Sequence, residues 1–399
     1  MALFLTVSVK GLDNGLVRTP PMGWLSWERF RCNTDCKNDP DNCISEKLYK
    51  TMADLLVSEG YKDVGYEYIN IDDCWMAKER DSQGKLVPDP ERFPSGIKAL
   101  ADYMHSKGLK LGIYEDFGSK TCGGFPGSEF YMMSDANTFA EWNVDMLKFD
   151  GCYSDPKQME AGFKAMGQFL NNTGHPMVYS CEWPLYQIGD KIKPDYGAIR
   201  ETCNLWRNFG DVQDSWTSIL SIIDFYGKDD GNFSSYNGPG GWNDPDMLVA
   251  GDFGLSYEEE KTQFVMWSMW SSPLFMSNDL RKISNHTKQL LQHKGILAIN
   301  QDPLGAQAVR QWQISSVGLW LKPLAKNGSY AVAIVNRDDQ GMPHKISVQV
   351  NQLGLSGPAY NFTEVFDNKF YGHYKSSDQF TVEINPLGAF LAIATPTDS

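Results

Sequence analysis

The sequence predicts an α/β protein, a (β/α)8 TIM barrel followed by a C-terminal antiparallel β-sandwich domain. Three observations carry that expectation. From Met22 to about Gln301, short apolar runs alternate with amphipathic helical stretches, giving eight strand–helix pairs, the pattern of a parallel sheet wrapped in helices. The apolar runs end in acids, cations and aromatics rather than in more apolar residues. After Gln301–Gly305 the pattern changes to short alternating or β-branched runs such as SYAVAIVN, KISVQV and FTVEI, separated by NG, DNK and NPLG turns, which read as antiparallel strands. The 399 residues accommodate a barrel of about 250 residues and a smaller module. The expected division is 12–305 for the barrel and 306–399 for the sandwich, with 1–11 as a leader remnant.

The first strand is expected over Met22–Phe30, followed by a helix over Ser45–Glu59 that Ser45 caps and in which Leu48, Met52, Leu55 and Leu56 share a face. Tyr66–Trp75 is the second strand. Its helix, Gly96–Ser106, sets Ile97, Leu100, Ala101 and Met104 at i, i+3, i+4 and i+7. Lys110–Gly118 is the third strand, with Ala136, Phe139 and Ala140 marking the helix after it. Strand four, Val144–Cys152 (VDMLKFDGC), is apolar in its body and charged at its tip, as suits a strand buried on both faces. Met159, Phe163, Met166 and Leu170 form the next helical face. Strands five to eight are Met177–Trp183, Cys203–Asp211, Gly240–Leu248 and Pro273–Leu280. Helices over Trp216–Phe225, Glu258–Ser271 and His286–His293 follow the last three. A doubly wound sheet is the competing architecture, but no Gly-rich phosphate fingerprint follows the first strand.

A net charge of −14 argues against a nucleic-acid or anionic-membrane partner. No run approaches the roughly 20 apolar residues of a spanning helix, so no membrane insertion is expected. All eight cysteines (Cys32, Cys36, Cys43, Cys74, Cys122, Cys152, Cys181, Cys203) lie in the first 203 residues of the chain. Their even number, and the lack of a matching His for Cys32 and Cys36, favour disulfides over zinc, with the pairing left open. Sequons at Asn171, Asn232, Asn285, Asn327 and Asn361 agree with a secretory route. Ala2–Val9 reads equally as the core of a short leader, without a basic start, or as an edge strand.

Chemistry is expected where the strands end. Trp27 and Glu28 follow strand one, Asp72 and Asp73 strand two, and Tyr114, Glu115 and Asp116 strand three. Lys148 and Asp150 close strand four, Glu182 and Trp183 strand five, Arg207 and Asp211 strand six, and Asp244 and Asp246 stand at strand seven. In a barrel these tips converge on one face. Taken singly, each has a structural reading: a cap or turn for Asp72-Asp73, a turn for Asp244-Pro-Asp, an ion-pair partner for Arg207, core for the aromatics. Acid clusters also bind Mg2+ or Mn2+, whereas the six His stand away from the tips, against a zinc site. Together, many acids, two cations and aromatic faces suit a sugar. Asp150 reads as an ionised carboxylate under an anomeric carbon, since Lys148 lies two residues back on the same strand face. Asp211 fits the proton donor across the pocket; spacing alone does not separate it from Asp73 or Asp244.

The segments TPPMGWLSWERFRCN, YINIDDCW, KLGIY, LKFDGC, YSCEWP, CNLWRN and GGWNDPDML, in that order, resemble glycoside hydrolase family 27, and INPLGAF extends the likeness into the sandwich. The resemblance implies a retaining exo-α-galactosidase that needs no metal or other cofactor. It implies Asp150 as nucleophile, Asp211 as acid/base, and a galactose pocket of Trp27, Asp72, Asp73, Tyr114, Lys148, Glu182, Leu185, Tyr186, Arg207 and Asp246. The implied bridges are Cys122–Cys152, bordering that pocket, with Cys32–Cys74, Cys36–Cys43 and Cys181–Cys203. A sister activity in the family removes N-acetylgalactosamine and carries Ser and Ala where this sequence has Glu182 and Leu185, the galactosidase pattern. The alternatives are therefore an α-N-acetylgalactosaminidase or a dual-activity enzyme, and, against intact Asp150 and Asp211, a catalytically silent galactose-binding protein. The resemblance further implies α-galactoside substrates, a homodimer and a lysosomal or secreted location. Glu115 stands where the family has a small residue and is expected to add a charge at the pocket rim. Among the sequons, only Asn171 matches a family position.

Overall fold

The computed structural model describes residue 12 and residues 14–397; the leader expected over residues 1–11 lies outside them. Eight short apolar segments form a parallel sheet: β1 (Met22–Leu25), β2 (Tyr68–Asn70), β3 (Lys110–Asp116), β4 (Met146–Asp150), β5 (Val178–Cys181), β6 (Leu205–Arg207), β7 (Trp242–Asp244) and β8 (Leu274–Met276). Their order is β7-β6-β5-β4-β3-β2-β1-β8, with every neighbouring pair parallel. All eight are buried nearly throughout, because helices cover one face and packed side chains fill the other. The strands are shorter than expected. The sequence run Met22–Phe30, for example, leaves the sheet after Leu25 and makes a helical turn over Trp27–Phe30.

The ring closes through a loop. After β7 the chain meets Pro245, which has no N–H to give a ladder, and Asp246, whose φ is +80°. Leu248 then resumes the extended path: its N–H donates to Phe275 O at 2.8 Å, and its carbonyl accepts from Ser277 N at 2.8 Å. The interruption throws Asp246 out of register, a strained conformation of the kind found at functional sites.

The helices follow the apolar periodicity. Ser45 Oγ accepts from Leu48 N at the start of Glu46–Ser58, whose buried face is Leu48, Tyr49, Met52, Ala53 and Leu56. Ile97, Leu100, Ala101 and Met104 are the buried face of Gly96–Ser106. The helix Tyr257–Met269 is buried on almost every side, since it lies between the barrel and the second unit.

That second unit is antiparallel. Strands β9 (Val309–Ile314), β10 (Val317–Pro323), β11 (Tyr330–Asn336), β13 (Ala359–Glu364), β14 (Lys369–Lys375) and β16 (Ala389–Pro396) form one sheet; β12 (His344–Gln349) pairs with β15 (Gln379–Ile384) in another. Leu319, Val332, Ile334, Phe362, Phe380 and Val382 pack in the core they share. Lys322 of β10 points instead toward the barrel, where Nζ donates to Ser268 O at 3.2 Å, Ser271 Oγ at 2.5 Å and Ile299 O at 2.6 Å. Burial pushes its amine down to about 7.

Glu115 does not reach the pocket rim. Tyr114 and Asp116 turn toward the barrel interior, so Glu115 must face the helix layer. There it is fully buried, near Asp135 and Arg80, and neither carboxyl oxygen has a partner among the described residues. Burial, and then the charge of Asp135, push its carboxyl well above the ordinary 4.5, against the pull of Arg80. The folded chain therefore keeps a proton that the unfolded chain loses. Stability from this group is complete below 4.5 and declines as pH rises toward the raised value. Glu115→Gln removes that decline. The difference in Tm between about pH 5 and about pH 7.5 is expected to narrow by at least about 2 °C, the shift roughly 1 kcal/mol produces in a large domain. Thermal melts at the two pH values test this, and an unchanged gap contradicts it.

Candidate active site

The C-terminal ends of the strands surround a cavity of about 570 Å³. Its lining includes Trp27, Asp72, Asp73, Tyr114, Cys122, Lys148, Asp150, Cys152, Glu182, Leu185, Tyr186 and Asp211 from the expected set. Arg207 and Asp246, also expected there, do not line it. They border a small void beneath, which Lys148 shares.

Asp150 ends β4. Tyr114 Oη donates to its Oδ2 at 2.8 Å, and Tyr186 Oη and Gly151 N donate to Oδ1 at 2.6 and 2.7 Å. Three donors on two oxygens leave the carboxylate one orientation. Its neighbour is the Cys122–Cys152 disulfide, whose Cys122 sulfur lies 3.3 Å from Oδ2. Behind it Asp116 accepts from Gly118 N at 2.7 Å and Cys152 N at 3.0 Å. Burial and the charge of Asp150 push the Asp116 carboxyl up to about 9, so it is neutral at physiological pH.

The cations lie under the acids. Lys148 Nζ donates to Asp72 Oδ2 at 2.7 Å and pairs with Glu182 Oε1 at 3.3 Å. Burial works against its charge, but Asp72 and Glu182 outweigh it and hold the amine well above its ordinary value. Arg207, with a side chain 2% exposed, reaches Glu182 at 3.4 Å, Asp246 at 3.1 Å and Asp211 at 3.0 Å. Asp246 Oδ2 in turn accepts from Val212 N at 2.8 Å, which pins the loop carrying Asp211. Asp73 is held by Cys74 N and Gly123 N, both at 2.6 Å, yet burial still pushes its carboxyl up to about 6. Burial does the same to Asp244, also to about 6. Asp211 differs: its side chain is 41% exposed. Its partial burial is outweighed by Arg207 and Lys148, which hold its carboxyl below the ordinary range.

Disulfides pin these tips. Cys74 follows Asp73 and bonds Cys32; Cys181 precedes Glu182 and bonds Cys203; Cys36–Cys43 closes a loop farther off. Among the described residues one group has metal-like spacing, Asp116 and Asp150 with Cys122 and Cys152. Both sulfurs are consumed in the bridge, so that set does not fit a thiolate-bound ion. Of the sequons, Asn171, Asn232, Asn285 and Asn327 are exposed. Asn361 lies half-buried in β13, its side chain paired with His373 at 3.1 Å.

The family profile described as "Alpha galactosidase A" matches residues 19–302, and that of the "Alpha galactosidase A C-terminal beta sandwich domain" matches 305–388. The chain belongs to this family, glycoside hydrolase family 27. Among family members, human alpha-galactosidase A is 53% identical over 387 residues, covering 96% of this chain and 90% of that protein. The alpha-N-acetylgalactosaminidase of Gallus gallus is 51% identical over 388 residues, covering 96% and 95%. The crystal structure of alpha-galactosidase I from Mortierella vinacea superposes with a TM-score of 0.85 at 32% identity, covering 96% of this chain and 99% of that one. A family 27 glycoside hydrolase is thus shown, while near-equal identities to both sister activities leave the sugar to the pocket residues.

Sequence reasoning missed three lining residues, Pro156, Gly189 and Asp190. None stands at a strand tip. Gly189 and Asp190 reach the cavity only because the helix Trp183–Gly189 runs along its wall, and no local pattern announces that path.

Breaking the network at its centre has a calculable cost. Arg207→Met leaves Asp246 without its cation and Glu182 with Lys148 alone, and loss of one partner of a buried pair costs about 3–5 kcal/mol. A fall in Tm of at least roughly 6 °C is expected, read by calorimetry. A variant as stable as the parent would contradict the bridging role.

Proposed function

We propose that this chain is a retaining exo-α-galactosidase in which Asp150 is the nucleophile and Asp211 the acid/base. The observation that carries the reading is the placement of the two carboxylates. Asp150 is buried and immobilised by three donors at the cavity floor, and Asp211 is exposed on the wall of the same cavity, on a loop held by Asp246 and Arg207. A cavity with a buried floor and one exposed mouth at the strand ends suits a chain terminus rather than a chain interior.

In the first step Asp150 attacks C1 while Asp211 gives its proton to the departing glycosidic oxygen, leaving a covalent glycosyl-enzyme. In the second, Asp211 takes a proton from water, which attacks C1 and frees Asp150 with the original anomeric configuration. Tyr114, Tyr186 and Gly151 N hold the nucleophile on line; Asp72, Asp73 and Lys148 stand ready for sugar hydroxyls. Since Arg207 and Lys148 keep Asp211 ionised into the acid range, the proton-donating form accumulates only at low pH. We expect kcat/KM to fall as pH rises through and above the ordinary carboxylate value of about 4, as a pH–rate profile would show.

The 2-substituent decides between sister activities. Glu182 and Leu185 both line the cavity; an acetamide there meets the bulk of Leu185, while a hydroxyl can donate to Glu182. Discrimination of several kcal/mol follows from a clash plus unpaired polar groups. The second reading, an α-N-acetylgalactosaminidase or dual enzyme, is favoured by the likeness to the Gallus gallus protein. Side-by-side assays of aryl α-galactoside and aryl α-N-acetylgalactosaminide separate them, and faster cleavage of the second would remove the galactosidase assignment. Glu182→Ser with Leu185→Ala is expected to raise the acetamide activity at the expense of the other.

For the chemistry, Asp150→Asn is expected to abolish turnover, whereas Asp211→Ala spares substrates with good leaving groups by a factor of about 10² or more. Equal losses on good and poor leaving groups would refute the division of roles. Four disulfides and five sequons support a lysosomal or secreted glycoprotein. Among the described residues no helix is long and apolar enough to cross a membrane. The family likeness supports a homodimer.

A further inference from the structure

Four lining residues are exposed and so form the mouth of the cavity: Cys122, Gly189, Asp190 and Asp211. The buried acids behind them take the sugar on the reading above, on which this inference rests. A leaving group on C1 then has to pass the mouth. Two of the mouth residues carry carboxylates, and they differ. That of Asp211 is paired with Arg207 at 3.0 Å. That of Asp190 makes no hydrogen bond or ion pair among the described residues. Lys191 and Lys193 follow it in the chain, but neither lines the cavity.

The fold uses only the backbone of Asp190. Its N–H donates to Tyr186 O at 3.0 Å and ends the helix Trp183–Gly189, and Lys191, at φ +60°, turns the chain away. The same helix begins at Glu182 and carries Leu185 and Tyr186. One short element thus runs from the sugar's 2-position to the cavity mouth, and its last charge has no structural employment.

We propose that Asp190 determines leaving-group specificity, favouring α-galactosides whose aglycone is cationic or neutral and hydroxyl-rich, and repelling those that carry a phosphate, sulfate or carboxylate. The expected size follows from a single charge acting at several ångströms through a partly aqueous mouth, about threefold to tenfold in rate.

The test uses three phenyl α-galactosides: one unsubstituted, one bearing a carboxylate and one bearing a quaternary ammonium. The quantity read is the ratio of kcat/KM for the cationic over the anionic compound, compared between enzymes so that leaving-group chemistry cancels. The ratio is expected to drop about threefold to tenfold in Asp190→Asn, to fall further in Asp190→Lys, and to shrink for the parent enzyme in about 1 M salt. A ratio unchanged within about twofold in both variants and insensitive to salt overturns the inference alone. Failure of the parent to cleave the unsubstituted compound overturns the proposed function, and the inference with it.

Discussion

Lys148 and Arg207 are the charges around which the strand ends can assemble. Asp72, Asp73, Asp150, Glu182, Asp244, Asp246 and Asp211 crowd one end of a barrel whose core is apolar, and carboxylates left alone there would repel one another through a medium of low polarity. Each cation bridges acids from different strands: Lys148 joins the tips of β2 and β5 from β4, and Arg207 joins β5, the loop after β6 and the loop after β7. Burial still pushes the carboxyls of Asp73, Asp244 and Asp116 upward, so these acids hold a proton more readily than exposed ones. Removing one partner of such a network leaves a buried charge, which is why these groups stand or fall together.

Covalent and backbone devices fix what the charges attract. Three of the four disulfides include a cysteine within two residues of a lining acid, Cys74 beside Asp73, Cys152 near Asp150 and Cys181 beside Glu182. The break after β7 serves the same end. Pro245 and the positive φ of Asp246 interrupt the strand, so the side chain of Asp246 meets Arg207 and the amide of Val212 while Leu248 closes the ring. Preorganisation of this kind keeps the proposed nucleophile and acid/base from having to move during reaction.

Legibility was uneven, for physical reasons. Strand bodies, helix faces and the change to antiparallel strands show in one dimension, because burial imposes a period on apolar residues. The acids at the tips were visible as charges interrupting apolar runs. The role of Glu115 was not: alternation along β3 sends Tyr114 and Asp116 inward and Glu115 into the helix layer, so adjacency in sequence to pocket residues does not place its charge at the pocket rim. Arg207 and Asp246 illustrate the converse, since they support the cavity from below without lining it.

The sequence by itself determined the parallel barrel, the sandwich, and the set of acids, cations and aromatics gathered where strands end, VDMLKFDGC foremost, because hydrophobic period and strand polarity are local properties. Only the tertiary structure decided how those groups are shared out. Which acid pairs with which cation, which keeps a proton, that Asp150 lies at the floor and Asp211 at the mouth, and that Asp190 reaches the same cavity depend on distances across the ring. Such distances arise when strands far apart in the chain are brought together, and electrostatic energies in a buried site follow those distances and not the spacing along the chain.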